Sequence, residues 1–195
     1  MKNTAIIFFS AIIFLAICSR TPYAQDLSKY EFFGGLSYAD IWDSRMGWNF
    51  LGVRNINRTF GIAVDISGTN MFDRERIIFS EELNISTQRH LFLAGFQVAK
   101  RDPGKWVHYA QILAGLDHSS YSYDLKLENA LTNLGSETIN SFATTFGGGV
   151  DYRVKGPFAL RLIHANFIIV NSAGAWDVRG KVSCGLVFLQ GKQKH

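Results

Sequence analysis

From Tyr30 onward the chain alternates apolar and polar positions with a period of two. In 30–38 (YEFFGGLSY), Tyr30, Phe32, Leu36 and Tyr38 share one parity, and Glu31, Gly35 and Ser37 the other. The segment 59–68 sets Phe60, Ile62, Val64 and Ile66 against Gly61, Ala63, Asp65 and Ser67. In 142–152 the apolar set is Phe142, Phe146, Val150 and Tyr152, against Ala143, Thr145, Gly147, Gly149 and Asp151. The cleanest case is 178–188, where Val178, Val182, Cys184, Leu186 and Phe188 alternate with Arg179, Lys181, Ser183 and Gly185. Weaker alternation marks 47–57, 89–99, 106–116 and 158–170, with phase breaks near Leu51 and Ile163. This period predicts half-buried β-strands, eight of them, and helix patterns are absent from this part of the chain.

The connections fall into two kinds. Asn57–Thr59, Lys100–Lys105 and Val154–Pro157 are short and carry Gly or Pro turn chemistry in the last two. The others, 39–46, 69–88, 117–141 and 171–177, are longer, and two of them exceed the usual loop of a compact soluble domain. Short turns alternating with long loops, around an even strand count, predict an all-β, eight-stranded, antiparallel up-and-down transmembrane barrel. A sheet can cross a bilayer only if it closes, because every backbone polar group must find its partner within the protein.

In such a barrel one strand face meets lipid and the other a narrow interior. The stretch FGGGVDYRVKGPFALRL (146–162) then makes sense: Gly147 and Gly149 face inward, where bulk does not fit, and so do Asp151 and Arg161. The inward parity collects Glu31, Asp65 and Asp151 with Arg161, Arg179 and Lys181, a candidate charge network, because an unpaired buried charge is costly. A phosphate-binding glycine loop is the rival reading. It fails because a strand pattern, not a helix, follows the triplet.

Residues 1–24 stand apart. A short basic start and an apolar run, Ala5–Cys18, read as a signal peptide cleaved after Ala24; LAIC at 15–18 offers lipidation at Cys18 as the alternative. The barrel domain would then be 25–195. Without Lys2 and Arg20 the balance is 18 basic against 16 acidic residues, which is no nucleic-acid footprint. Cys184 would remain as the sole cysteine, so no internal disulfide is expected, and with no CxxC and no Cys/His cluster no metal site is expected either.

The segments KYEFFGGLSY, NRTFGIAVDISG, WVHYAQILAG and FATTFGGGVDYRVKGPFALRLIHANF resemble successive strands of the OmpA/OmpX-type eight-stranded outer-membrane barrels, in their porin-like branch. The resemblance runs from about Lys29 to Gly191, and the glycine triplet, Asp, basic turn and ALRLI carry most of it. It implies a bacterial outer-membrane location, contact with outer-membrane lipid and lipopolysaccharide, and recognition of the last strand by the assembly machinery. It implies little about activity; no cofactor and no enzymatic activity are expected. The sequence departs from the family where Gln190 replaces a second terminal aromatic, and where His164 and Asn166 stand in place of Gln and Asp.

The role expected is structural or surface-interactive, without a substantial pore. Two alternatives differ in class. A lipocalin-like soluble carrier would turn its apolar parity inward, around a small apolar ligand. A lipid-modifying barrel enzyme would need a polar constellation, for which His118-Ser119-Ser120 and Asp124 are the nearest material. The histidines at 90, 108, 118, 164 and 195 show no ligand spacing in sequence and read as strand or loop decoration. Trp42, Trp48, Trp106 and Trp176, with Tyr30, Tyr38, Tyr109 and Tyr152, are expected in interfacial girdles. FDRERIIFSEEL (72–83) reads as a protruding hairpin, a partner-binding surface or a solvated loop.

Overall fold

A computed structural model describes residues 28–39, 45–78, 81–101, 104–127, 130–154, 156–172 and 175–192. The expected signal peptide, Cys18 and Trp42 lie outside them. The elements are β1 (Ser28–Ala39), β2 (Arg45–Asn55), β3 (Phe60–Ile78), β4 (Glu81–Lys100), β5 (Trp106–Leu127), β6 (Ala130–Arg153), β7 (Phe158–Ser172) and β8 (Ala175–Lys192). Each strand pairs with its chain neighbours, β1 also pairs antiparallel with β8, and the sheet is a closed barrel. The predicted eight-stranded antiparallel up-and-down barrel is the observed architecture. Closure satisfies every strand edge within the wall, which an open sheet of this composition would leave exposed.

The long outer loops do not take the expected form. Residues 69–78 and 81–88 continue β3 and β4, paired from Thr69↔Arg89 up to Ile78↔Glu81. Residues 117–127 and 130–141 likewise continue β5 and β6 as a ladder. Alternation disappears there because neither face of the sheet is required to be apolar, whereas backbone pairing needs no such pattern. Hence β1 and β2 have 12 and 11 residues, but β3, β4, β5 and β6 have 19, 20, 22 and 24. Four strands therefore rise beyond the barrel wall as a sheet. Among the described residues, the last rung between β2 and β3 is Met46↔Asn70, and the last between β6 and β7 is Phe142↔Asn171. Above those rungs the outer edges of β3 and β6 have no strand beside them among the described residues.

The two expected phase breaks have different outcomes. Near Ile163 there is a β-bulge: Arg161 pairs with Gly185 and His164 with Ser183, so β7 spends one residue more than β8. Leu162 and Ile163 both point outward, while Arg161 and His164 are both buried inside. Near Leu51 no break exists. β2 keeps an uninterrupted register with β3, and Leu51 and Val53 simply face inward. They belong to an apolar interior layer with Phe33, Leu91, Leu93, Leu113 and Val187. Inward positions are thus not confined to small or polar residues, because an eight-stranded barrel is filled by side chains like any core.

Candidate functional site

The six charged residues predicted to face inward, Glu31, Asp65, Asp151, Arg161, Arg179 and Lys181, all line the interior, where they fall into separate clusters rather than one network. At the end carrying the short turns, Arg101 folds back from the β4–β5 connection into the lumen. It donates to Glu31 Oε1 from Nη2 at 2.9 Å, to Asn55 Oδ1 at 2.6 Å, and to the carbonyl of Arg58 at 2.9 Å. Asn55 donates to the same Glu31 oxygen at 2.7 Å. Arg101, which sits in a turn and so has no strand parity, plugs this end.

Above the plug, Arg161 and Asp151 form a two-pronged pair. The guanidinium carbon lies 4.6 Å from the Phe33 ring centre and 4.3 Å from that of Tyr109, so the cation is covered by two π-faces. Tyr109 is therefore an interior residue and not part of a girdle. The glycine triplet makes this possible. On β6, Gly149 lies between Tyr109 and His164, and Gly147 between Gln111 and Asn166. A Cβ at Gly149 would come 2.7 Å from Tyr109 Cζ, and one at Gly147 2.8 Å from Asn166 Cα. The wall is thinned at two alternate positions to admit large polar side chains from both neighbouring strands.

Those side chains form the next layer. His164 Nε2 receives amide N–H groups from Gln111 at 2.9 Å and Asn166 at 3.0 Å. His164 is thus a buried acceptor in a polar layer, a role that scattered histidines in a sequence do not advertise. Across the lumen Asp65 accepts from Asn49 Nδ2 at 2.9 Å and from Lys181 Nζ at 3.3 Å, and Lys181 also donates to Ser67 Oγ at 2.8 Å.

At the opposite end Asp117 is the hub. Arg89 Nε lies 3.3 Å from its Oδ1, and Arg179 Nη1 3.5 Å from its Oδ2; Arg179 also pairs with Asp177. Arg101 and Asp117 escaped prediction because they lie in stretches read as a turn and a loop, and Arg89 because it is the first residue of the weakly alternating strand read over 89–99. The cavity here, bounded by Thr69, Arg89, Leu91, Asp117 and Arg179, has a volume of about 20 Å³, room for one or two waters. An apolar ligand needs a cavity of roughly 300 Å³ or more, which this one does not supply. The material for an enzyme also separates. Ser119 faces inward, donating to Asp117 Oδ1 at 3.1 Å, whereas His118 is on the outer face with Nδ1 2.7 Å from Asn140 Oδ1. No group of three or more His, Cys, Asp or Glu side chains among the described residues is placed to hold a metal.

Outside, the register orders the surface into rows. Phe50, Ile66, Phe92, Leu116 and Phe142 are successive partners across β2 to β6, all exposed. One rung higher, the row is Trp48, Gly68, His90, His118 and Asn140; one higher again, it is Met46, Asn70, Gln88, Ser120 and Thr138. The exterior changes from apolar to polar within two rungs. Toward the turns the apolar surface ends on aromatic pairs, Trp106 with Tyr152 at 4.9 Å and Phe158 with Phe188 at 5.5 Å. Lys105 sits 5.7 Å over the Tyr152 ring.

No protein-family model matches the sequence, and no curated protein matches it. Solved structures do. Ail, the attachment invasion locus protein of Yersinia pestis, superposes with a TM-score of 0.52 at 13% identity, over 85% of this chain and 100% of Ail. The same protein in complex with the heparin analogue sucrose octasulfate gives the same values. Neisserial surface protein A gives 0.50 at 14% identity, over 83% and 97% of the two chains. The fold is that of the OmpA/OmpX-type eight-stranded barrels.

Proposed function

We propose that this protein is an integral barrel of a bacterial outer membrane that anchors a raised four-stranded sheet at the cell surface, without turnover and without a substantial pore. The observation that carries the reading is the pair of opposed surfaces. The exterior carries a largely apolar band, and the interior is filled, its charges paired around an apolar layer. On β5 the outward positions run from Trp106 to Leu116, apolar apart from His108 near the turn, matching the roughly 9–11 residues a tilted strand needs to cross a bilayer. Aromatic pairs bound it on the turn side, as interfacial girdles do.

The raised part of β3–β6 supports the surface-interaction half of the reading. It stands beyond the band, its described outer face is polar, and among the described residues no strand flanks its two edges. That Ail has been solved with a sulfated sugar supports a ligand-binding surface on a chain of this fold. Contact with lipopolysaccharide, and delivery by the assembly machinery through β8, follow from the same placement.

The test is heat modifiability. The full chain is expressed in a Gram-negative host, outer membranes are isolated, and the protein is run on SDS gels with and without boiling. A membrane-fraction band whose mobility changes on boiling is expected. A soluble periplasmic band without a shift would overturn the reading.

A further inference from the structure

We infer that His90 and His118 form a binding site for a divalent transition-metal ion of the zinc or copper class, on the outer rim of the barrel. The two histidines are far apart in sequence, but β4 and β5 place them directly opposite each other on the same outward face. Residues so paired have Cβ atoms roughly 4.5–5.5 Å apart, a separation that two imidazoles can span with one ion between them. Imidazole nitrogen is a preferred donor for zinc, copper and nickel.

A second observation points the same way. His118 Nδ1 lies 2.7 Å from Asn140 Oδ1, on the strand away from His90. A carbonyl oxygen accepts only, so Nδ1 carries the proton and Nε2 keeps its lone pair. Metal-binding histidines are held in this manner, the second ring nitrogen donating to an oxygen that fixes the tautomer. His90 is positioned from its other side, its ring 6.4 Å from that of Trp48 and tilted by 47°. The rungs around the pair supply Gln88, Ser120 and Asn140, all neutral. With two protein donors the ion keeps water in its remaining positions, so the site is open and exchangeable.

Trp48 makes the site observable. Copper(II) bound at His90 would quench its fluorescence at short range. The refolded barrel in detergent micelles is titrated with copper(II) chloride, and with zinc chloride as a competitor. Saturable quenching at one equivalent is expected, reversed by zinc. His90→Asn and His118→Asn should each abolish the saturable phase, and Asn140→Ala should weaken it about tenfold, as loss of an orienting partner does. The boiling-dependent gel shift checks folding of each variant; where an asparagine variant fails it, the glutamine variant at that position is used. Quenching that survives either histidine substitution overturns the proposal, because one imidazole or a terminal group then holds the ion. Absence of saturable quenching in the unaltered protein overturns it equally.

Discussion

Arg161 on β7 and Asp151 on β6 meet through two parallel hydrogen bonds, Nε to Oδ1 at 2.7 Å and Nη2 to Oδ2 at 2.9 Å, in a lumen that leaves the arginine 1% exposed. Removing one partner leaves the other charge buried without compensation. Asp151→Ala is expected to cost about 3–5 kcal/mol, read from urea unfolding of the barrel in lipid vesicles. The double change Asp151→Leu with Arg161→Met should recover most of that loss, since apolar replacement of a whole buried pair is often neutral. A double variant as unstable as the single one would show that the guanidinium is needed for its stacking on Phe33 and Tyr109.

The wall's thickness at β6 gives a second expectation. Gly149→Ala drives a methyl group against Tyr109 and should destabilise the barrel by about 1–3 kcal/mol, as overpacking does. Gly52→Ala faces outward, its nearest neighbour being Phe32 Cδ1 at 4.0 Å, and should stay within about 0.5 kcal/mol. The same unfolding measurement compares them.

Depth in the apolar band should set the cost of a charge. Ile112→Arg lies amid the exposed apolar positions of β5 and should cost about 2–4 kcal/mol, whereas Ser120→Arg, above the boundary row, should cost about 0–1 kcal/mol. Equal costs in vesicles would argue that no bilayer surrounds the band.

The raised sheet should be dispensable for folding. Asn70 and Gln88 are a paired rung, so replacing 71–87 by an Asn-Gly turn closes β3 onto β4 with a two-residue hairpin. The shortened chain should keep its boiling-dependent mobility. Loss of the shift would show that the extension takes part in assembling the wall.

Strand number, closure and the inward parity of Glu31, Asp65, Asp151, Arg161, Arg179 and Lys181 were legible because the outer face of each strand in the barrel wall is largely apolar. Where that apolar face stops, so does the signal. Above Leu116 and Ile66 the strands continue without alternation, and the sequence reads as loop. Leu51 misled for the opposite reason: an apolar inward residue looks like a slip of phase when the lumen is assumed polar throughout. Arg101 carries no parity at all, and its place in the lumen depends on how the β4–β5 turn folds back. The pairing of His90 with His118 needs the register of β4 and β5 many rungs away from the short turn that joins them, which no local pattern encodes.

The extra residue on β7 has a further meaning for how this wall tolerates change. Losing one residue from a regular strand exchanges its two faces from that point on, delivering buried charge to the outside. At Leu162 and Ile163 the chain has already made that exchange and absorbed it. Deleting either one would restore strict alternation while leaving Arg161 and His164 on the inner face. Within β7, this is where the chain could be shortened by one residue without scrambling inside and outside.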